Sequence, residues 1–218
     1  VGSGKMTDAT AAFDKIAKSK GLEAFGLYHK ALALASAGDF EGADEILSGR
    51  AAGEISVIRR GVIAHIQILS QLEKNPEAIA LIDATFAPGS DVEVDGLRRR
   101  LEAGEPIPFD VARNATDGIA EVFFSLATAV NGQTENTFTL LHSRAAAYLR
   151  TDDTEAVLLT AGLLQQMGQM ELAAAAFAQV PADSPAFYIA EIGRANTTYS
   201  LGDKAAGLDI LRQLAKTH

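Results

Sequence analysis

Cysteine is absent from the 218-residue chain. Without a thiol there is no disulfide framework, no thiolate zinc site and no cysteine nucleophile. That absence suits any compartment. Long apolar runs are missing as well. A membrane-spanning helix needs about 18 consecutive apolar residues. The best stretch, GVIAHIQIL at 61–69, is short and contains His65 and Gln67. Membrane insertion by these residues is not expected. Positive charge is scarce too, with 19 Lys and Arg against 28 Asp and Glu and a net charge of −9. Such a surface repels phosphate, so neither nucleic acid nor an anionic membrane is an expected partner. The one basic cluster, Arg98, Arg99 and Arg100 beside Glu102, reads as a solvated helix face.

Reactive constellations are equally sparse. No two of the four histidines, His29, His65, His142 and His218, have metal-ligand spacing on one helix. There is no H-E-x-x-H and no G-x-S-x-G. The opening VGSGKM has Met6 where a phosphate loop needs serine or threonine, and no strand to precede it. FEGADE at 40–45 reads as a solvated face. The triplets at 114–116 and 196–198 match a glycosylation sequon, a pattern frequent by chance. No catalytic residue, cofactor site or metal site is expected. The first residue is valine and the opening reads like a trimmed piece of a longer chain, so a targeting signal would lie outside it.

What the chain has is 48% hydrophobic residues, enough for a folded core. They recur at spacings of three and four, which predicts helix throughout. Helices are expected near 7–19, 21–37, 40–49, 54–73, 76–87, 92–103, 117–131, 135–149, 154–167, 169–180, 186–200 and 203–216. Asn75 with Pro76 and Ser184 with Pro185 look like helix starts, and Asp152 with Glu155 like a capping-box variant. Gly38, Gly132, Gly168 and Gly202 stand where one helix gives way to the next. The stretch 103–118 is the longest irregular one. It carries Ile107, Phe109 and Val111, too apolar for a free linker, and is expected to be an ordered crossover.

A period emerges. Gly168 and Gly202 lie 34 residues apart, and the same shift carries Ala161 to Ala195, Phe177 to Leu211 and Val180 to Leu214. One step back carries Ala161 to Ala127 and Val180 to Ala146. In the front half Ala31, Gly38, Ala43 and Leu47 keep the spacing of Ala161, Gly168, Ala173 and Phe177. Ile66, Ala78 and Ile82 follow it less well, with Glu73 where glycine is due. Alanine at 161 and 173 lets two backbones approach closely, and Phe177 is placed to fill the wedge before the next pair.

This pattern resembles the tetratricopeptide repeat, a 34-residue helix–turn–helix unit. Residues 154–187 match it best, through Ala161, Leu164, Gly168, Ala173, Phe177 and Pro185, with Val180 in place of an alanine. The unit before departs further, with Thr134, Thr139 and Ser143 at the glycine, alanine and aromatic places. The family tryptophan is replaced by Phe123, Val157 and Glu191. The stretches DGIAEVFFSLATAV at 117–130 and RAAAYLRTDD at 144–153 look like part of a longer bacterial multi-repeat protein. The resemblance implies an all-α, right-handed α-α superhelix of hairpins, a single array over 1–218. Degenerate front repeats would occupy 1–103, the crossover 104–116 and clearer repeats 117–218. Bacterial cytoplasm and periplasm both suit such a protein.

The resemblance also implies that the first helix of each pair faces a partner. The residues it points to are Glu121, Phe124, Thr128 and Asn131; then Glu155, Leu158, Gly162, Gln165 and Gln166; then Ile189, Ile192, Asn196 and Tyr199. In the front half they are Phe25, Tyr28, Arg60, Ile63 and Gln67. The set that carries the expectation is Glu121, Phe124, Thr128, Asn131, Gln165, Gln166, Asn196 and Tyr199. It lacks the lysines and arginines that clamp a peptide carboxylate, so an extended apolar or amide-rich segment fits better. The expected function is a non-catalytic protein–protein interaction scaffold, a segment of a longer array. Two alternatives stay open: a module holding a small apolar ligand or lipid, and a regulatory segment of an enzyme. Self-association through exposed terminal hairpins is a further expectation.

Overall fold

The computed structural model describes residues 1–49 and 58–217. Among them every regular element is a helix. They form two compact units, Val1–Gly118 and Ile119–His218. The first contains α1 (Met6–Ala17), α2 (Glu23–Ser36), α3 (Phe40–Leu47), α4 (Arg59–Gln71), α5 (Asn75–Thr85) and α6 (Val92–Glu102). The unit boundary falls within α7 (Ala115–Val130). The second unit continues with α8 (Asn136–Leu149), α9 (Thr154–Gln166), α10 (Met170–Phe177), α11 (Phe187–Ser200) and α12 (Lys204–Thr217). The 54–57 end of the helix expected over 54–73 lies outside the described residues.

Consecutive helices pack on one another, α1 through α6 in the first unit and α8 through α12 in the second. Four hairpins, α2–α3, α4–α5, α9–α10 and α11–α12, close through three residues each. In each the middle residue is left-handed: Gly38, Glu73, Gly168 and Gly202. The hydrogen bonds explain why. Gly168 N donates to Gln165 O at 3.0 Å and Gln169 N to Leu164 O at 2.9 Å, the paired bonds of a Schellman motif. The same pair recurs from Gly38 and Asp39 and from Glu73 and Lys74. Glu73 is the one non-glycine residue with positive φ among those described, at 60°. The repeat's geometry forces a carboxylate-bearing residue into a conformation that costs about 1 kcal/mol or more.

The small residues sit where the hairpins close. Ala31, Ala43, Ala78, Ala127, Ala161, Ala173 and Ala195 are all buried to within 1%. Ile66 and Thr139, at the equivalent places of the weaker repeats, are equally buried. The fold class is thus an all-α repeat of helical hairpins, the class the tetratricopeptide resemblance implies. Phe177 closes the second unit's core with Val157, Ala161, Leu164, Val180 and Ala190. A methyl added to Gly193 of α11 would overlap the end of the Phe177 ring. So the ring of one hairpin is seated on a bare patch of the next helix.

Residues 104–114 run without helix across the first unit. α4 holds them through three polar side chains. Ser70 Oγ accepts from Ile107 N at 2.9 Å, and Gln71 Nε2 donates to Ile107 O at 2.6 Å. Gln67 clamps Asp110 from both sides, donating to its Oδ1 at 2.7 Å and accepting from its backbone N at 3.0 Å. Ile107, Val111 and Ala112 are buried in the first unit's core, and Phe109 meets Phe40 edge-on.

Several helix starts differ from the sequence reading. Asp153, not Asp152, caps α9, accepting from Ala156 N at 3.1 Å. Asp152 pairs with Arg150 instead. The cap of α5 is Lys74, because the Asn75 amide turns to Leu101 O. α11 begins at Phe187, after Ser184 Oγ has accepted from Ala186 N, so Pro185 precedes the helix. In the α7–α8 connection Gly132 takes the left-handed place, and Thr134 does not.

Alanine is a better helix former than glycine by about 1 kcal/mol. Gly193→Ala is nevertheless expected to lower stability by about 1–3 kcal/mol, because the Phe177 ring must move. Combining it with Phe177→Leu should cost less than the sum of the single losses. Urea denaturation reads both. A Gly193→Ala chain as stable as the parent would contradict the seating.

Candidate functional site

In the second unit the residues expected to face a partner lie along α7, α9 and α11. Thr128, Asn131, Gln166, Asn196 and Tyr199 are exposed, and Phe124 and Gln165 are half-buried. Glu121 is different. It is 1% exposed, with Ser125 Oγ 3.5 Å from its carboxylate, so it takes no place on the open surface. Three of the others make local contacts. Thr128 Oγ1 donates back to Phe124 O at 2.9 Å, and Asn136 Nδ2 donates to Gln166 Oε1 at 3.5 Å. The Lys204 ammonium stands 5.4 Å from the Tyr199 ring centroid. Gly162, in the middle of α9, has open space where a side chain would stand. Leu158 packs against the core, Glu155, Gly162 and Ile192 are half-buried, and Ile189 is exposed. Asn196 and Ile192 share a shallow groove of about 580 Å³ with Tyr188 and with Leu211 and Leu214 of α12.

The front-half residues are not available in the same way. Tyr28, Arg60, Ile63 and Gln67 are buried and Phe25 is half-buried. Tyr28 and Ile63 belong to the core, and Gln67 is the clamp on Asp110. Their assignment to a partner-facing surface is therefore corrected. Over α4 the reason is that residues 104–114 lie on it.

A second opening was not visible in the sequence. It is a groove of about 780 Å³ flanked by α8 and α10, with Val157, Thr160 and Leu164 of α9 as its floor. At this level the repeat's aromatic is replaced by Ser143, whose hydroxyl lies 3.1 Å from Thr160 Oγ1. The run of apolar residues in TLLHSRAAAYL, one face too wide for a helix packed on one side, was the signal that could have shown it.

Two carboxylates are shifted by the groups around them. Burial alone would raise the Asp44 pKa, but donors from Lys74 at 2.6 Å, His65 at 2.8 Å and Ser48 at 3.1 Å outweigh it and hold it low. Asp44, His65 and Ser48 are the residue types of a hydrolase triad. Here one nitrogen, His65 Nε2, faces both Asp44 and Ser48 Oγ, so no proton is relayed across the ring. Asp91 is held low first by its hydrogen bond with Arg59, at 2.6 Å, while capping α6 through Glu93 N and Val94 N. No cluster of three or more potential metal ligands occurs among the described residues. None of their helices is long and apolar enough to cross a membrane.

His29 is the strongest perturbation. It is buried against Phe25 and Tyr28, with ring centroids 4.4 and 5.0 Å away, and its Nε2 has no hydrogen-bond partner among the described residues. Burial pushes its pKa from 6.5 down to about 4.

The geometry defines the class: an all-α repeat of helical hairpins. Comparison by sequence matched no protein family and no curated relative. Among solved structures the chain is similar to MamA in two crystal structures. One shows 13% identity over 96% of this chain and 92% of the other, with a TM-score of 0.44. The second shows 14% identity over 84% and 91%, with a TM-score of 0.43. It is also similar to YrrB, a TPR protein with an unusual peptide-binding site, at 17% identity over 95% and 92%, with a TM-score of 0.42.

The His29 geometry makes a prediction. Between pH 6.5 and 4 the unfolded chain binds a proton that the native ring refuses. Its contribution is fully present above pH 6.5 and is lost as pH falls toward 4, by about 3 kcal/mol in all. Urea denaturation across this range should show a shallower pH slope in His29→Leu than in the parent. Parallel slopes would contradict it.

Proposed function

We propose that the chain is a non-catalytic scaffold, a segment of a TPR-type protein that binds a protein or peptide partner. The partner lies along the first-helix face of the second unit, over α7, α9 and α11. The observation that carries this reading is the distribution of exposed apolar side chains. Among the described residues, Leu22, Ile58 and Val92 are the exposed large ones of Val1–Gly118, whereas Ile119–His218 presents twelve. Monomers seldom collect apolar surface on one part without a use for it. On the first-helix face this surface comprises Ile189 and Tyr199, flanked by the amides of Asn131, Gln165, Gln166 and Asn196.

Chemistry selects the partner class. Arg194 is the one basic residue on α9 or α11, and both its bonds to Glu191, at 2.7 and 2.5 Å, are already made. A free C-terminal carboxylate therefore finds no clamp on α9 or α11, and Lys204 of α12, a cation beside this face, stands over the Tyr199 ring. An extended segment finds amides for its backbone and apolar patches for its side chains. A small-molecule site normally buries most of its ligand. Neither groove does so: Tyr148 beside the larger is 84% exposed, and Tyr188 beside the smaller is 48% exposed.

The test is recovery of partners from a lysate of the source organism. A Gln165→Ala, Asn196→Ala, Tyr199→Ala variant should retain its melting temperature. It should recover the partner about tenfold less than the parent, as expected when interface anchors are truncated. Unchanged recovery removes this face from consideration. A small molecule retained by the purified chain in native mass spectrometry would favour the ligand-module alternative.

A further inference from the structure

The groove between α8 and α10 is separate from the first-helix face and is built differently. α9 packs on α8 at one side and on α10 at the other. The three helices leave the fourth corner of a bundle open. The lining is apolar: Leu140, Leu141 and Tyr148 from α8, Val157 and Leu164 from α9, and Leu172 from α10. Leu141, Tyr148 and Leu172 are 66%, 84% and 49% exposed.

One charge lines the groove. Arg144 is exposed, one turn from both Leu141 and Tyr148, and makes no ion pair with a described residue. No carboxylate lines it, in a chain of net charge −9. The groove therefore complements an apolar segment carrying negative charge.

The backbone decides the segment's conformation. An extended strand must find donors and acceptors for its own N–H and C=O groups. These walls are helices whose backbone groups are bonded internally. Thr160, on the floor, already donates to Ala156 O at 2.8 Å. An α-helix brings its hydrogen bonds with it and fits between two others at about 8–10 Å. We propose that this groove receives an amphipathic helix of a partner protein. That helix lays apolar residues at i, i+3, i+4 and i+7 over the α9 floor and sets a carboxylate against Arg144.

The test uses a displayed library of 16-residue helical peptides randomised on one face, selected in parallel on the intact parent chain and on Arg144→Glu. The parent should enrich apolar residues at helical spacing with an acidic residue beside them. Arg144→Glu should enrich a basic residue in its place. The best acidic peptide, made synthetically, should bind Leu172→Ser at least about tenfold more weakly in fluorescence anisotropy, as when a buried anchor is removed. The sites changed are exposed, and coincident melts confirm the fold. Asn196→Ala with Tyr199→Ala should leave this binding unchanged, so failure here is distinguishable from failure of the first-helix reading. The proposal is overturned if selection yields no binder, or binders without helical periodicity. It is also overturned by binders indifferent to Leu172→Ser and Arg144→Glu. A dimer of the free chain that Leu172→Ser dissolves would put a second copy in the groove, and overturns it too.

Discussion

Close approach of paired helices is the constraint from which the remaining structure follows. Two helical backbones can lie about 8 Å apart only where the side chains between them are small. Alanine at 161, 173, 127 and 195 meets that requirement with essentially no exposed surface. Gly207 meets it more severely, since an added methyl there would stand 2.9 Å from the Ala195 carbonyl oxygen. Once the hairpin is closed at this distance, space opens between successive hairpins. Phe177 fills it, and Gly193 exists at its position because the ring is there. Small residues inside the hairpin and one large ring between hairpins are thus two consequences of one geometry.

The turn is the second consequence. A three-residue connection between antiparallel helices demands a left-handed middle residue, whatever the sequence supplies. Glycine supplies it at 38, 168 and 202, and Glu73 accepts the same conformation at 60°. That a glutamate submits to the pattern shows how strongly the tertiary packing of α4 and α5 governs the local backbone. In the first unit the surface of α4 is then covered by 104–114, bound through Gln67, Ser70 and Gln71. In the second unit no such segment among the described residues covers α9 and α11, and Ile189, Tyr199, Gln166 and Asn196 stay exposed there. The difference between the units is a difference in what lies over the same kind of helix.

The sequence carried the repeat well because turn glycines and buried alanines act locally, at fixed spacing. It carried the site less well, for reasons that are physical. Gln67 looks like a ligand-facing amide until the path of 104–114 is known, and no periodicity encodes that path. Glu121 shares the helical face of Thr128, but it stands a turn or two nearer the start of α7 and is buried. Gly193 reads as a defect in a helix unless its neighbour across the gap is known. Asp152 and Asp153 are both competent caps, and a one-residue shift in the start of α9 decides between them. The α8–α10 groove is assembled from residues of three helices, and their mutual placement is not encoded by any one spacing.

The helical repeat depends on the buried seam more than on any exposed residue. The direct measurement is urea denaturation of Ala161→Leu beside Ala205→Leu, which adds the same bulk at an exposed helical position. The account predicts a loss of about 1–3 kcal/mol at 161 and a change within about 0.5 kcal/mol at 205. Equal stability of the parent and Ala161→Leu would contradict the close approach on which the fold rests.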